Sequence, residues 1–359
     1  MFKIYQSYIY KKFLLKYFYL NLVFLTLVII LGILEEISFF KNFDKDLTYP
    51  IILTFLNAPN TLFEILPFIF LLSTQFLFFE LIIKDELSLL KRNGLDNHKL
   101  IRNLFFLGVF VGVFNVLIFY NLSAIMKFHY SSIKNDFSND NKYLAMVTES
   151  GLWIKDYING TNLIIKSEKI NDNFLYEVII NEFNKNFELV RVIKSKKIDI
   201  SSTNWIIYNP EIIINNVKDT SNHKINLITN FDMVKINSFF SDVSTLDIFN
   251  LYSSKKDYER LGYSSDEISI HLMKLTIMPV YYGILIVLAS IFMIKVKKIN
   301  SIIFYLLVGI MISVSIYYLT FIFNAMGNSG KIPVEMSVFF PVLILTIISL
   351  IGIVRINER

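Results

Sequence analysis

A short charged run, Lys84-Asp85-Glu86-Leu87-Ser88-Leu89-Leu90-Lys91-Arg92-Asn93-Gly94-Leu95, carries the residues whose spacing says most about chemistry. The pattern predicts an amphipathic helix over about 84–94, closed by Gly94, which takes the left-handed conformation at a helix end at least cost. Leu87, Leu90 and Lys91 share one face, with Glu86 and Arg92 flanking it. Such a helix can lay an apolar face into a groove of a partner subunit. The Glu86 carboxylate can then accept a charge-assisted hydrogen bond from a partner's Arg or backbone. Two plainer roles stay open: a solvated connector, and a carboxylate that only favours its own helix dipole. Enzyme chemistry is absent from the pattern. His98, His129, His223 and His271 are scattered, with no pair at metal-ligand spacing. The chain has no cysteine, which excludes disulfides, thiolate zinc sites and a Cys nucleophile. No P-loop, HExxH, GxSxG or paired-glycine nucleotide fingerprint occurs. No cofactor is expected on this chain, and the energy for any work must come from a partner or a gradient.

The elements that position these groups read as membrane spans. The chain is 54% hydrophobic and only 18% charged, with mean hydropathy +0.52, whereas soluble domains carry more charge and shorter apolar runs. Its 34 Phe and 20 Tyr suit lipid-facing and interfacial surfaces. A span needs about 20 apolar residues, and the candidates are Phe13–Leu34, Ile65–Ile83, Leu104–Met126, Leu275–Ile294, Ile302–Phe323 and Val334–Val354. The first begins on Lys11, Lys12 and Lys16, as a signal peptide would. Its apolar run is too long, however, and Glu35-Glu36 stands where small residues would mark cleavage, so it reads as a retained span. Glu80, Glu335 and Lys16 fall near span ends. The span interiors read as free of a charged pair, which argues against a membrane-embedded enzyme or an ion channel.

Lys and Arg near span ends set orientation. Lys3, Lys11, Lys12 and Lys16, then Lys84, Lys91, Arg92, Lys99 and Arg102, then Lys295, Lys297 and Lys298, and finally Arg355 and Arg359 fall on one side; Lys41, Lys45 and Lys331 fall on the other. Both termini are expected in the cytoplasm and residues 127–268 outside. The net charge of +5 reads as this bias, with no nucleic-acid partner. From about Tyr143 short β-rich runs alternate with turn residues: Leu152–Ile154, Asn162–Ile170, Phe174–Phe183, Phe187–Ile200, Trp205–Tyr208, Glu211–Asn215 and Ile225–Phe231. Asn159-Gly160, Asn184-Lys185-Asn186 and Asn209-Pro210 punctuate them, a hairpin pattern. A sandwich, jelly roll or open barrel is expected. Residues 246–268 look helical, and Ser264-Ser265-Asp266-Glu267 resembles a capping box opening the fourth span.

Three stretches occur in order on this plan: Glu86-Leu87 with Gly94 eight residues after the Glu; Ser150-Gly151-Leu152-Trp153-Ile154-Lys155-Asp156; and Met326-Gly327-Asn328-Ser329-Gly330-Lys331-Ile332-Pro333 followed by Pro341. With Pro67 and Pro279 in spans two and four, the whole chain resembles the permease subunits of the lipopolysaccharide export system, the LptF/LptG (YjgP/YjgQ) family, LptG more than LptF. The resemblance implies a polytopic α-helical membrane protein, 3+3 spans around an inserted periplasmic all-β, jelly-roll-like domain, divided at 1–126, 127–268 and 269–359. It implies a second, homologous six-span permease and a cytoplasmic ABC ATPase dimer that holds ATP and Mg. Lipopolysaccharide would leave the inner membrane and pass to a periplasmic jelly-roll bridge protein.

In the family, spans one and five of two subunits line the lipid cavity and its gates. Here they offer Phe24, Leu27, Ile30 and Leu34, and Tyr317, Phe321 and Phe323, whose plainer role is to face lipid or neighbouring helices. An apolar cavity would offset the exposure of acyl chains, which costs about 0.8 kcal/mol per CH₂. Lipid phosphates need cations at the outer rim; Lys41 is the first candidate and Lys331 the second, the latter also explicable by snorkelling. Some family members have a Lys nearer the end of span one, where this chain has Glu35 and Glu36. Those carboxylates would hold a bridging divalent cation or pair with a basic residue of the partner. Glu86, Leu87, Leu90, Lys91 and Gly94 would couple to the ATPase. Two other readings remain: an ATPase-coupled mechanotransmission protein that carries no lipid, and a membrane sensor with an exported β domain.

Overall fold

The computed structural model describes residues 4–41, 46–137, 152–158, 161–171, 173–214, 217–219, 223–233, 236, 242–261, 264–294 and 302–357. Lys3, Lys45, Ser150-Gly151, Asn159-Gly160, Asn215, Lys295, Lys297, Lys298 and Arg359 lie outside the described residues. The chain divides into two compact units, Met1–Tyr130 with Val243–Ile248 and Asp266–Arg359, and Ser131–Asp242 with Phe249–Ser265.

The first unit is helical: α1 (Ile4–Phe40), α2 (Thr48–Ile83), α3 (Glu86–Arg92), α4 (Asn97–Phe114), a π-helical turn Asn115–Tyr120 that runs on into α5 (Asn121–Asp136), α7 (Asp266–Ile294), α8 (Ile302–Asn328) and α9 (Val334–Asn357). Among the described residues six helices are long and apolar enough to cross a membrane. They overrun the apolar stretches read from sequence. The helix that carries span two begins at Thr48, ahead of the apolar stretch at Ile65, because Asn57-Ala58-Pro59-Asn60-Thr61 stays helical. The Thr61 hydroxyl donates to the Asn57 carbonyl and the Asn60 amide to Glu64, both within the helix.

α7 is the centre of this unit, packed against α2, α4, α8 and α9. Its closest seam is with α4. Gly108 and Gly112, one turn apart, oppose Gly283 and Pro279, also one turn apart; a Cβ on Gly112 would sit 2.7 Å from the Pro279 Cα. Small residues at this spacing let two backbones approach inside a bilayer, where apolar packing supplies the attraction. Polar threads tie the remaining helices. Asn115 donates to the Tyr17 hydroxyl at 2.9 Å, the Tyr120 hydroxyl donates to the Leu246 carbonyl at 2.7 Å, and the Tyr130 hydroxyl donates to Glu36 at 2.8 Å. Gln75 of α2 is fully buried with its amide against Gly309 of α8, where a Cβ would lie 1.5 Å from the amide nitrogen.

The second unit is an antiparallel sheet of β1 (Leu152–Ile158), β2 (Thr161–Asn171), β3 (Phe174–Phe183), β4 (Leu189–Asp199), β5 (Asn204–Tyr208), β6 (Glu211–Ile214), β7 (Val217–Asp219) and β8 (Lys224–Ile228), with helix α6 (Ile248–Leu261). The strand order is β1-β2-β3-β4-β5-β8, and β6 and β7 branch from β4. The described strands thus form one curled sheet whose first five members follow chain order. β7 was not legible in the sequence. Alternate residues of successive strands, such as Ile154, Ile165, Ile180, Ile193 and Trp205, meet in a single buried cluster, so the sheet must curl around it. Two buried serines help. Ser167 shares its hydroxyl between the Lys169 and Tyr176 carbonyls and Ser195 between those of Lys197 and Tyr208, while Glu177 between them takes φ +50°. The Trp205 indole donates to the Phe231 carbonyl at 2.7 Å, and buried Asp156 accepts the Asn230 backbone N–H and side-chain amide, each at 2.8 Å. The two described turns behave as their residues dictate. Asn184 accepts the Asn186 and Glu188 amides, and Asn209 takes φ +45° before Pro210.

Candidate functional site

α3 hangs between two left-handed residues, Asp85 (φ +55°) and Gly94 (φ +81°). Its end is a Schellman closure: the Gly94 N–H donates to the Lys91 carbonyl and the Leu95 N–H to that of Leu90, both at 3.0 Å, with Leu95 buried. Leu87 is buried and Leu90 half-buried, while Leu89, Lys91 and Arg92 are exposed. The structure therefore redraws the face read from spacing: the Leu87 side is taken by the chain itself, and Leu89 stands outside with the two cations.

Glu86 is also engaged within the chain. Its carboxylate lies 2.6 Å from the Lys12 ammonium of α1, and Lys12 reaches Glu80 of α2 at 3.0 Å. Lys16, one turn along α1, and Lys84, one turn beyond Glu80, approach the same Glu80 carboxylate at 2.7 and 2.8 Å. Five charges on three elements thus share one cluster. Lys12, Glu80 and Glu86 are mostly buried in it, so the pairing is less screened than on an open surface. The sequence showed the five residues but not that the chain returns α3 to α1.

The two helices that the resemblance assigns to a cavity are the least buried of the six. In the most apolar window of α1 only 11% of residues are buried, and in that of α8 only 17%, against 78% for α7. Leu27, Ile30, Leu34, Tyr317 and Phe321 are all exposed. Phe24 and Phe323 differ. Phe24 packs edge-on against Phe68 of α2 at 5.5 Å and Phe323 against Phe340 of α9 at 5.6 Å, so both are half-covered by their own chain.

Lys41 is exposed at the end of α1. Lys331 is exposed just past α8, its N–H donating to the Met326 carbonyl in a second Schellman closure around Gly330 (φ +68°). Glu35 and Glu36 point apart: Glu35 is exposed, and Glu36 is buried beneath Tyr130. Among the described residues no group of three His, Asp or Glu side chains could hold a metal ion. The shared cation site expected of these two carboxylates is not formed by this arrangement.

Two charged residues stand just before the apolar stretches of spans two and four. Glu64 and Lys274 fall one residue before the apolar stretches that begin at Ile65 and Leu275, yet both lie inside transmembrane-length helices, α2 and α7. The helical continuation before the fourth apolar stretch was legible in the capping box at Ser264-Ser265-Asp266-Glu267; that before the second was not.

A search of curated proteins found no match to this chain. The family model for the lipopolysaccharide export system permease LptF/LptG matches residues 7–355, from the start of α1 to the end of α9 and across the inserted β unit, and the chain belongs to that family.

Proposed function

We propose that this chain, an LptF/LptG-family permease, moves lipopolysaccharide out of the inner membrane through a cavity between its α1 and α8 and the same helices of a second six-span permease. The observation that carries the reading is the exposure of α1 and α8, whose apolar faces are left open by a bundle that buries α7. Both termini lie in the cytoplasm and the β unit in the periplasm, as the Lys and Arg distribution requires. The β unit receives the lipid and offers a sheet edge to a periplasmic bridge protein. The chain stands nearer LptG than LptF on the stretch Met326–Pro333.

A cytoplasmic ATPase dimer, which would hold the ATP and Mg, docks on the outer face of α3 around Leu89, Lys91 and Arg92. The Glu86–Lys12 ion pair then passes a displacement of α3 to α1, one wall of the cavity. Hydrolysis and the gate are joined by a short charged link instead of a long path through the bundle.

Affinity purification of the chain from its native membrane, with mass spectrometry of co-purifying proteins and bound lipid, tests this reading. A cytoplasmic ATPase, a second six-span permease and a phosphorylated multi-acyl glycolipid are expected. An ATPase without glycolipid would leave a protein that transmits force and carries no lipid.

A further inference from the structure

Three buried rings from three helices pack together inside the bundle. Phe70 of α2 lies 4.9 Å from Tyr17 of α1, and it stacks on Tyr282 of α7 at 4.3 Å and 9°. Tyr282 stands about 18 Å of helix from Ile294, the end of α7, at about 1.5 Å per residue, which is deep within a hydrocarbon layer about 30 Å thick. Two tyrosine hydroxyls thus enter a region without bulk water, and their surroundings differ. Tyr17 occupies both halves of one amide: the Asn115 NH₂ donates to its oxygen at 2.9 Å, and its O–H donates to the Asn115 carbonyl oxygen at 3.3 Å. The buried Tyr282 hydroxyl has no partner among the described residues, a costly state for a polar group away from water. Asn115 is nevertheless close to it in the fold. The Tyr282 ring edge would lie 2.9 Å from a Cβ on Gly112, one turn before Asn115. Gly108 meets Gly283 and Gly112 meets Pro279, so α4 and α7 are antiparallel at this seam. A long helical side chain leans toward the N-terminus of its own helix. On α7 that lean carries the Tyr282 hydroxyl from the level of Gly112 toward that of Asn115. The backbone there has slack. Asn115 opens the π-helical turn Asn115–Tyr120, which holds one residue more than an α-helical turn, a device frequent at functional sites. The extra residue shows in the burial pattern: two unburied residues separate the buried pairs Val111-Gly112 and Asn115-Val116, but three separate Val116 from Tyr120. A plain α-helix would set Asn115 and Tyr120 about 140° apart; the π turn puts both on the buried face.

We infer that Asn115 is a two-position switch, its amide held by Tyr17 in the state described above and by Tyr282 in a second one. In the first state α1 is tied to span three and the Tyr282 hydroxyl goes without a partner. In the second the Asn115 carbonyl oxygen accepts the Tyr282 O–H, and α1 loses its tie at this depth while the Lys12 ion pairs still hold its inner end. The exchange sets one hydroxyl against another, so the two states lie close in free energy, as a bistable element requires. The extra residue of the π turn lets the Asn115 side chain swing without unwinding the rest of span three. The open apolar face of α1 then shifts against the closed seam of α4 and α7. This goes beyond the permease reading, since the switch operates in the chain alone, with neither lipid nor ATPase.

The test uses the full chain in nanodiscs. The chain has no cysteine, so Leu22→Cys on α1 and Val280→Cys on α7, both exposed positions, take spin labels at those two sites alone. Double electron–electron resonance then reads their separation, and the labelled chain should show two distances. Tyr17→Phe should raise the ratio of the second to the first about threefold, and Tyr282→Phe should lower it about threefold, the scale of one interhelical hydrogen bond in a membrane. Each change removes only a hydroxyl, so the bundle should survive both. With Asn115→Leu in place, neither tyrosine change should move the ratio. Opposite signs are the mark of a switch. A fixed polar knot would respond to both changes in the same direction or to neither, and either result overturns the inference. A shift that persists in the Asn115→Leu background overturns it too, since a trapped water, and not Asn115, would then serve Tyr282.

Discussion

α1 and α8 are as apolar as α7, yet the bundle buries α7 and leaves the other two open. In water that contrast would be an error of folding. In a bilayer, lipid tails are as apolar as Leu, so burial is decided by close packing and polar ties instead of by hydrophobicity. α7 has the means: Pro279 and Gly283 fit against Gly112 and Gly108, and Tyr282 stacks on Phe70. α8 has one such contact with α2, at Gly309 and Gln75, and then presents Met311, Tyr317, Tyr318 and Phe321 outward. α1 holds α2 through Phe13, Tyr17 and Lys12, while Leu22, Leu27, Ile30 and Leu34 face away. Residues of small volume mark the closed seam, and large apolar residues without them mark the open faces.

The largest expected effect strikes the closed seam. Gly112→Val places branched carbon where a Cβ already lies 2.7 Å from the Pro279 Cα, a backbone atom that no rotamer change can move. Overpacking of this kind costs about 3 kcal/mol, at the top of the usual range. The variant should fall in membrane abundance and lower the melting midpoint in detergent by several degrees. A normal midpoint would mean that α4 and α7 can slide, and the contrast between closed and open helices would lose its physical basis.

Next in size is the link between α3 and α1. Removing one member of a charge-assisted pair costs about 1.5 kcal/mol, or about tenfold. Lys12→Met and Glu86→Gln should each lower lipid-stimulated ATP hydrolysis by about that factor while the complex still assembles. If the pair transmits motion, the double variant should lose no more than either single change; if Glu86 acts directly on the ATPase, the two losses should multiply. The same cluster predicts salt sensitivity, since Glu80 carries three lysines. Glu80→Gln should weaken the bundle more at low than at high ionic strength, measured by melting in detergent across a salt series.

How far the sequence reveals this molecule depends on which force sets each feature. Hydropathy showed six spans because length and apolarity are local properties. It cut α2 short because Pro59, Asn60 and Glu64 interrupt the apolar stretch, whereas a proline-containing helix survives when neighbours and side chains satisfy its backbone; the start of α7 was legible in the capping box at Ser264-Ser265-Asp266-Glu267. The strands were legible through alternation at Leu152–Ile154 and Phe174–Phe183. The curl was not, since it depends on Ser167, Ser195 and Glu177 acting across strands. At α3 the sequence showed an amphipathic helix but not which side the chain would claim. Leu87 is buried, and Glu86 is bound to Lys12, 74 residues away in sequence.

The smallest effect on the fold, and the sharpest for function, belongs to the open faces. Leu27→Ala, Ile30→Ala and Phe321→Ala remove exposed side chains that little in this chain packs against, so each should change stability by less than about 0.5 kcal/mol. If these residues merely face lipid, transport should be as indifferent as the fold. If they line a shared cavity, bound glycolipid should fall and photo-crosslinking from positions 27, 30 and 321 should capture lipid or the second permease, with the melting midpoint unmoved. Phe24→Ala is the internal control. Phe24 packs on Phe68 within the chain, so its loss should register in the midpoint before it registers in lipid capture. A reversal of that order, with Phe24 affecting only lipid and Leu27 only the fold, would show that the open surface of α1 is not the surface the lipid meets.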